Sequence, residues 1–134
     1  MNILFFLIPK SDVTYINEDN SIQEALEVLE RHSYSAIPIL GKNGKYIGTL
    51  TEGDLLFGLR RKLSQHLHEL DKIEVRCVPR RKDNIPVSID ANIEDLISMA
   101  TSQNFIPVLD DDDKFIGIIT RKDIIQYCYG KISK

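Results

Sequence analysis

Two threonine–aspartate pairs, Thr51 with Asp54 and Thr120 with Asp123, share one spacing and one setting. Each Thr ends an apolar run, 46–50 or 115–119, and each Asp stands three residues on, ahead of further apolar residues. That order reads as a strand that stops at the start of a helix. The first turn of a helix has backbone N–H groups without partners, so it suits an anion such as a phosphate. An ionised Asp accepts two hydrogen bonds, which matches the neighbouring hydroxyls of a ribose, and a Thr hydroxyl can donate to a phosphate oxygen. The chemistry is that of a sugar-phosphate site, present twice. The same residues also make a plain helix cap, with Asp stabilising the helix dipole. Both readings stand at this level.

The elements that must hold these pairs form a repeat, and a repeat fixes architecture before any local assignment. Aligning Gly48 with Gly117 sets a shift of 69 residues, and 37–56 then matches 106–125 at 8 of 20 positions. In the first copy, 13–16 is strand-like and 17–20 is a turn signal. Ser21 reads as an N-cap with Glu24 completing a capping box. Ile22, Ala25, Leu26 and Leu29 then mark one apolar helix face. A buried strand over 36–40, glycines at 41 and 44 for a tight hairpin, a strand over 46–51 and a helix striped by Leu55, Leu56, Leu59 and Leu63 complete it. The second copy repeats the plan: a strand over 85–89, Asn92 as N-cap, and an apolar face of Ile93, Leu96, Ile97 and Ala100. Strands over 105–109 and 115–120 flank an acidic turn, and Ile124, Ile125, Cys128 and Ile132 stripe the last helix.

The expected fold is α+β: two β-α-β-β-α repeats packed sheet to sheet with pseudo-twofold symmetry. A half of about 50–60 residues buries only a marginal core alone. The predicted division is 1–64, a first repeat with an apolar lead-in over 2–9; 65–83, a linker; and 84–134, the second repeat. Within the linker, 73–78 is expected as a short helix ended by Pro79.

Composition narrows the function classes. A net charge of −3 exerts no global pull toward nucleic acid or an acidic membrane, and the apolar opening is far shorter than the roughly 20 residues that span a bilayer. Cys77 and Cys128 lack the spacing of a disulfide scaffold or zinc site, and His32, His66 and His68 have no ligand spacing. Asp110 to Asp113 reads as a solvated hairpin tip. No nucleophile–base constellation or phosphate-cradling glycine loop appears, so no metal, cofactor or catalysis is expected, and the cytoplasm is the expected location.

The run Ser35–Leu40 followed by Tyr46-Ile-Gly-Thr-Leu-Thr-Glu-Gly-Asp-Leu-Leu56 resembles a cystathionine-β-synthase (CBS) domain, and 105–109 with 115–125 matches the same pattern. The resemblance covers nearly the whole chain, which is similar to stand-alone bacterial CBS-pair proteins. It implies a regulatory module that binds adenine nucleotides in two clefts and forms a homodimer. Ligands across the family include AMP, ADP, ATP, S-adenosylmethionine and cyclic di-AMP. Carried over by residue, the first cleft would use Val13, Thr14, Tyr34 and Ser35 at the base, with Ile118 packing on it. Thr120, Arg121, Lys122 and Asp123 would hold the ribose and phosphate. The second would use Asn84, Ile85, Gln103 and Asn104 with Thr49, Thr51 and Asp54.

The clefts are not expected to be equal. Charge-assisted bonds from Arg121 and Lys122 favour a phosphate, whereas the corresponding Glu52 and Gly53 do not. The cleft ending in Asp123 is therefore expected to bind tighter. Binding would signal nucleotide state to an unidentified partner protein. Two other readings are a protein-interaction scaffold with degenerate clefts, and nucleic-acid binding through the basic stretch 60–82, where eight Lys and Arg stand against three acids. No helix-turn-helix, zinc finger or aromatic platform accompanies that charge, which disfavours nucleic acid.

Overall fold

A computed structural model describes residues 2–61 and 64–133. Leu63 of the predicted stripe and Lys62 of the basic stretch lie outside them. The chain divides into two compact units, Thr14–Asp83, and Met1–Val13 with Asn84–Lys134. The lead-in, grouped above with the first repeat, thus belongs with the second.

The first unit is a β-α-β-β-α repeat. Strand β2 (Ile16–Asn17) precedes helix α1 (Ile22–His32), which is followed by β3 (Ala36–Leu40), β4 (Tyr46–Thr51) and α2 (Glu52–Arg61). The sheet order is β2-β3-β4, with β2 parallel and β4 antiparallel to β3. Helix α1 starts where the sequence says it should. Ser21 Oγ accepts the Glu24 N–H at 3.1 Å, and the Glu24 carboxylate accepts the Ser21 N–H at 3.0 Å. Ile22, Ala25 and Leu29 are buried against Ile37, Ile39, Leu50 and Leu55. Val75 and Val78 enter the same core, around a single 3-10 turn, Val75–Cys77, at the place of the expected short helix. The linker is therefore partly core.

The second unit repeats the plan with β5 (Val87–Ser88), α3 (Ile93–Ala100), β6 (Phe105–Leu109), β7 (Phe115–Thr120) and α4 (Arg121–Ile132). Its sheet carries one strand more, in the order β1-β7-β6-β5, where β1 is Ile8–Pro9. Ile8 stands opposite Ile118 and Pro9 opposite Gly117. Ile3, in a 3-10 turn just before β1, is fully buried among Leu96, Ile106, Ile119 and Ile124. A fourth strand is possible only because Gly117 has no side chain: its φ is +155°, and a Cβ there would fall on the Ile8 carbonyl oxygen.

Three expectations need correction. The strand-like runs 13–16 and 85–89 pair over only two residues each, at Ile16–Asn17 and Val87–Ser88. Their partners begin at Ile39 and Val108, one residue past Pro38 and Pro107, and a proline has no N–H to extend the ladder. In the first hairpin, Asn43 (φ 65°) and Gly44 (φ 74°) take the left-handed positions, while Gly41 stays at φ −97°. The stripes are also only half inside. Leu55 and Ile124 are buried, but Leu56 is 63% exposed, Ile125 56% and Ile132 83%, and Ile97 and Cys128 are not fully buried either.

Candidate functional site

Both Thr/Asp tips cap their helices. Thr120 Oγ1 accepts the Asp123 N–H at 3.2 Å, and Thr51 Oγ1 accepts the Asp54 N–H at 3.0 Å. What separates the copies is the state of the carboxylates. Asp54 is 2% exposed; its Oδ2 accepts the Thr51 N–H at 3.2 Å and its Oδ1 the Arg81 N–H at 3.1 Å. Both oxygens are engaged by the chain's own backbone. Asp123 is half-buried, and its carboxylate has no hydrogen bond or ion pair among the described residues.

The group that occupies Asp54 comes from the linker, which sequence reasoning treated only as a source of charge. Arg80 clamps Asp83 through Nε–Oδ1 at 2.8 Å and Nη2–Oδ2 at 3.3 Å, and Asp83 Oδ1 also accepts the Thr49 N–H at 3.0 Å. Thr49 is buried, with its hydroxyl 2.6 Å from the Tyr46 hydroxyl. The Arg81 guanidinium lies 4.0 Å from the Phe57 ring centroid. The signal for this cluster was Gly48, a glycine inside a strand. A Cβ there would come within 2.5 Å of Asp83 Oδ1 and 2.7 Å of Arg80 Nε.

Burial alone would raise the Asp83 carboxyl, but the Arg80 guanidinium and the Thr49 N–H outweigh it and hold Asp83 below its ordinary value. A carboxylate lowered in the folded state adds stability above its unfolded pKa, and that stability fades as pH falls through the folded value. Wild type should therefore be more stable than Asp83→Asn at pH 7, with the gap closing below about pH 4. Urea unfolding at several pH values measures it, and a gap that widens on acidification would contradict the assignment.

The remaining predicted site residues divide between the units. Asn84, Ile85, Gln103 and Asn104 come together in the second unit. Gln103 Oε1 accepts the Ile85 N–H at 2.9 Å and its Nε2 donates to the Ile85 carbonyl at 3.1 Å, while Asn84 Nδ2 donates to Asn104 Oδ1 at 3.2 Å. The other members of that set, Thr49, Thr51 and Asp54, are in the first unit. Val13, Ile118, Thr120, Arg121, Lys122 and Asp123 are in the second unit; Thr14, Tyr34 and Ser35 are in the first. Tyr34 stacks on His32 at 5.4 Å and is 47% exposed. Arg121 does not point freely outward: its Nε donates to the Gln103 carbonyl at 3.1 Å. Lys122 is exposed and has no ion pair among the described residues, which makes it the freer of the two cations.

Among the described residues, no three His, Cys, Asp or Glu side chains gather as metal ligands, and no helix is long and apolar enough to cross a membrane.

The cyclic di-AMP receptor B of Bacillus subtilis is 29% identical over 126 residues, covering 90% of this chain and 82% of that protein. The structure of CbpB from Listeria monocytogenes in complex with c-di-AMP superposes with a TM-score of 0.78 at 24% identity, covering 99% and 98% of the two chains. That of CBSX2 in complex with AMP gives a TM-score of 0.77 at 23% identity, covering 99% and 98%. Some relatives are much longer. The chain spans 40% of an uncharacterised protein and 20% of an L-aspartate semialdehyde sulfurtransferase, both from Methanocaldococcus jannaschii. The CBS domain profile matches residues 7–61 and again 75–130, one match per repeat, and the chain belongs to the CBS domain family as a tandem pair.

Proposed function

We propose that this chain is a regulatory module that binds an adenine nucleotide, AMP, ADP, ATP or cyclic di-AMP, and carries out no chemistry of its own. The observation that carries the reading is the Asp123 carboxylate, without a partner among the described residues, beside Thr120 at the N-terminus of α4. There the ribose hydroxyls find an acceptor, and the phosphate finds the positive end of the α4 dipole and the Lys122 ammonium, although the Arg121 N–H already donates to the Asn104 carbonyl and the Asp123 N–H to Thr120 Oγ1. The Asp54 copy is the weaker site, because a ligand must displace the Arg81 N–H to reach it. The relative from Bacillus subtilis, named for cyclic di-AMP, supports the ligand class.

Leu56, Ile125, Tyr129 and Ile132, all more than half exposed on α2 and α4, give the module apolar surface for a homodimer or a target protein. Nucleotide binding acts by its differential affinity for two arrangements of that assembly, in the cytoplasm. A thermal-shift panel of AMP, ADP, ATP, cyclic di-AMP and S-adenosylmethionine tests the reading. A ligand at about a hundred times its dissociation constant adds about 2.7 kcal/mol, a plain upward shift in Tm. No shift with any of the five leaves a scaffold instead.

A further inference from the structure

Within the second unit, Asp123 borders an open depression of about 550 Å³, inside the roughly 300–1,000 Å³ range of small-molecule sites. Phe5, Phe6, Ile8, Gln126 and Tyr127 line it with Asp123. Phe6 and Tyr127 pack edge to face at 5.3 Å and fix one wall. Phe5 does something else. It is 84% exposed, a large apolar ring held over the depression by a 3-10 turn whose neighbour Ile3 is fully buried. The turn is itself anchored, with Asn2 Oδ1 accepting the Leu4 N–H at 2.9 Å. Gln126 stands one helical turn after Asp123, with an amide that can both donate and accept.

With Asp123 committed to the ribose of a first nucleoside, the exposed aromatic face of Phe5 and the Gln126 amide are the parts left to recognise a second base, by its face and its edge. The depression adjoins the strand that bears Ile118, since Ile8 pairs with Ile118. A mononucleotide whose base packs on Ile118 and whose ribose sits on Asp123 leaves Phe5 unused. We infer that Phe5 is a stacking platform for the second nucleoside of a cyclic dinucleotide, so that this depression selects a dinucleotide over AMP. The inference rests on the nucleotide reading above and adds to it the residue that sets ligand size.

Isothermal titration of wild type, Phe5→Ala and Phe5→Trp with cyclic di-AMP and with AMP tests it. Stacking of a base on an aromatic ring is strong enough that its loss weakens binding about tenfold. Phe5→Ala is expected to weaken cyclic di-AMP by about that factor and leave AMP unchanged, with Phe5→Trp restoring the affinity. Equal cyclic di-AMP affinity for wild type and Phe5→Ala overturns the platform while leaving the nucleotide reading intact. So does an equal loss for both ligands, which makes Phe5 a structural support. Failure of wild type to bind either ligand removes the nucleotide reading and this inference together.

Discussion

Replacing Asp123 by Ala is expected to weaken nucleotide binding and leave the fold almost untouched, while Asp54→Ala should destabilise the fold and leave binding at the stronger site unchanged. Among the described residues the Asp123 carboxylate has no partner to lose, and its favourable place in the first turn of α4 is worth up to about 1 kcal/mol. A hydrogen bond from a ligand to a charged group contributes about 1.5–3 kcal/mol, so its loss lowers affinity on the order of ten- to a hundredfold. Asp54 is buried and accepts from two backbone N–H groups, those of Thr51 and Arg81. Truncating it strands both donors at about 1–3 kcal/mol each, so a loss of about 3 kcal/mol is expected in urea unfolding. Titration calorimetry and denaturation on the same two variants give the four numbers. If Asp54→Ala stays folded and loses nucleotide while Asp123→Ala keeps it, the ranking of the two tips is wrong.

Gly117→Ala should cost more than Gly48→Ala, although the two glycines occupy the same place in their repeats. At Gly48 a new methyl meets the ends of the Asp83 and Arg80 side chains, which can turn aside at the expense of their ion pair. At Gly117 it meets the backbone of Ile8, and φ is +155°, a region where a side chain is strained. The clash is relieved only by parting β1 from β7, which also unseats the buried Ile3. About 2–4 kcal/mol is expected at Gly117 and about 1 kcal/mol at Gly48, read as shifts in urea midpoint. Equal losses would mean that the lead-in strand contributes little to its unit.

The hairpins and caps were legible because their determinants are local. The strands at 36–40, 46–51, 105–109 and 115–120 and the caps at Ser21 and Asn92 all stand where alternation, turn residues and capping chemistry put them. The destination of the lead-in was not legible. Its partner is more than a hundred residues away, and an apolar run at 2–9 fits either sheet equally well. Helix periodicity likewise found the apolar stripes of α2 and α4, but a stripe does not say which of its residues face inward, and Leu56 and Ile125 do not. The motif located both Thr/Asp caps and could not tell that Asp54 already accepts two backbone N–H groups. That difference lies outside the motif, in Arg80, Arg81 and Asp83, residues that read as surface charge until Gly48 is seen to make room for two of them.

The pairing of β1 with β7 also sets an order of events during synthesis. The Thr14–Asp83 unit is one contiguous run and can close as soon as it leaves the ribosome. Residues 2–13 are made about a hundred residues ahead of their partner strand, Phe115–Thr120. At about 5–20 residues per second, the opening segment waits on the order of 5–20 s with its apolar side chains unsatisfied. Nascent chains that stall before residue 115 carry that apolar segment with no strand to receive it, so residues 2–13 are a stretch for a chaperone to shield.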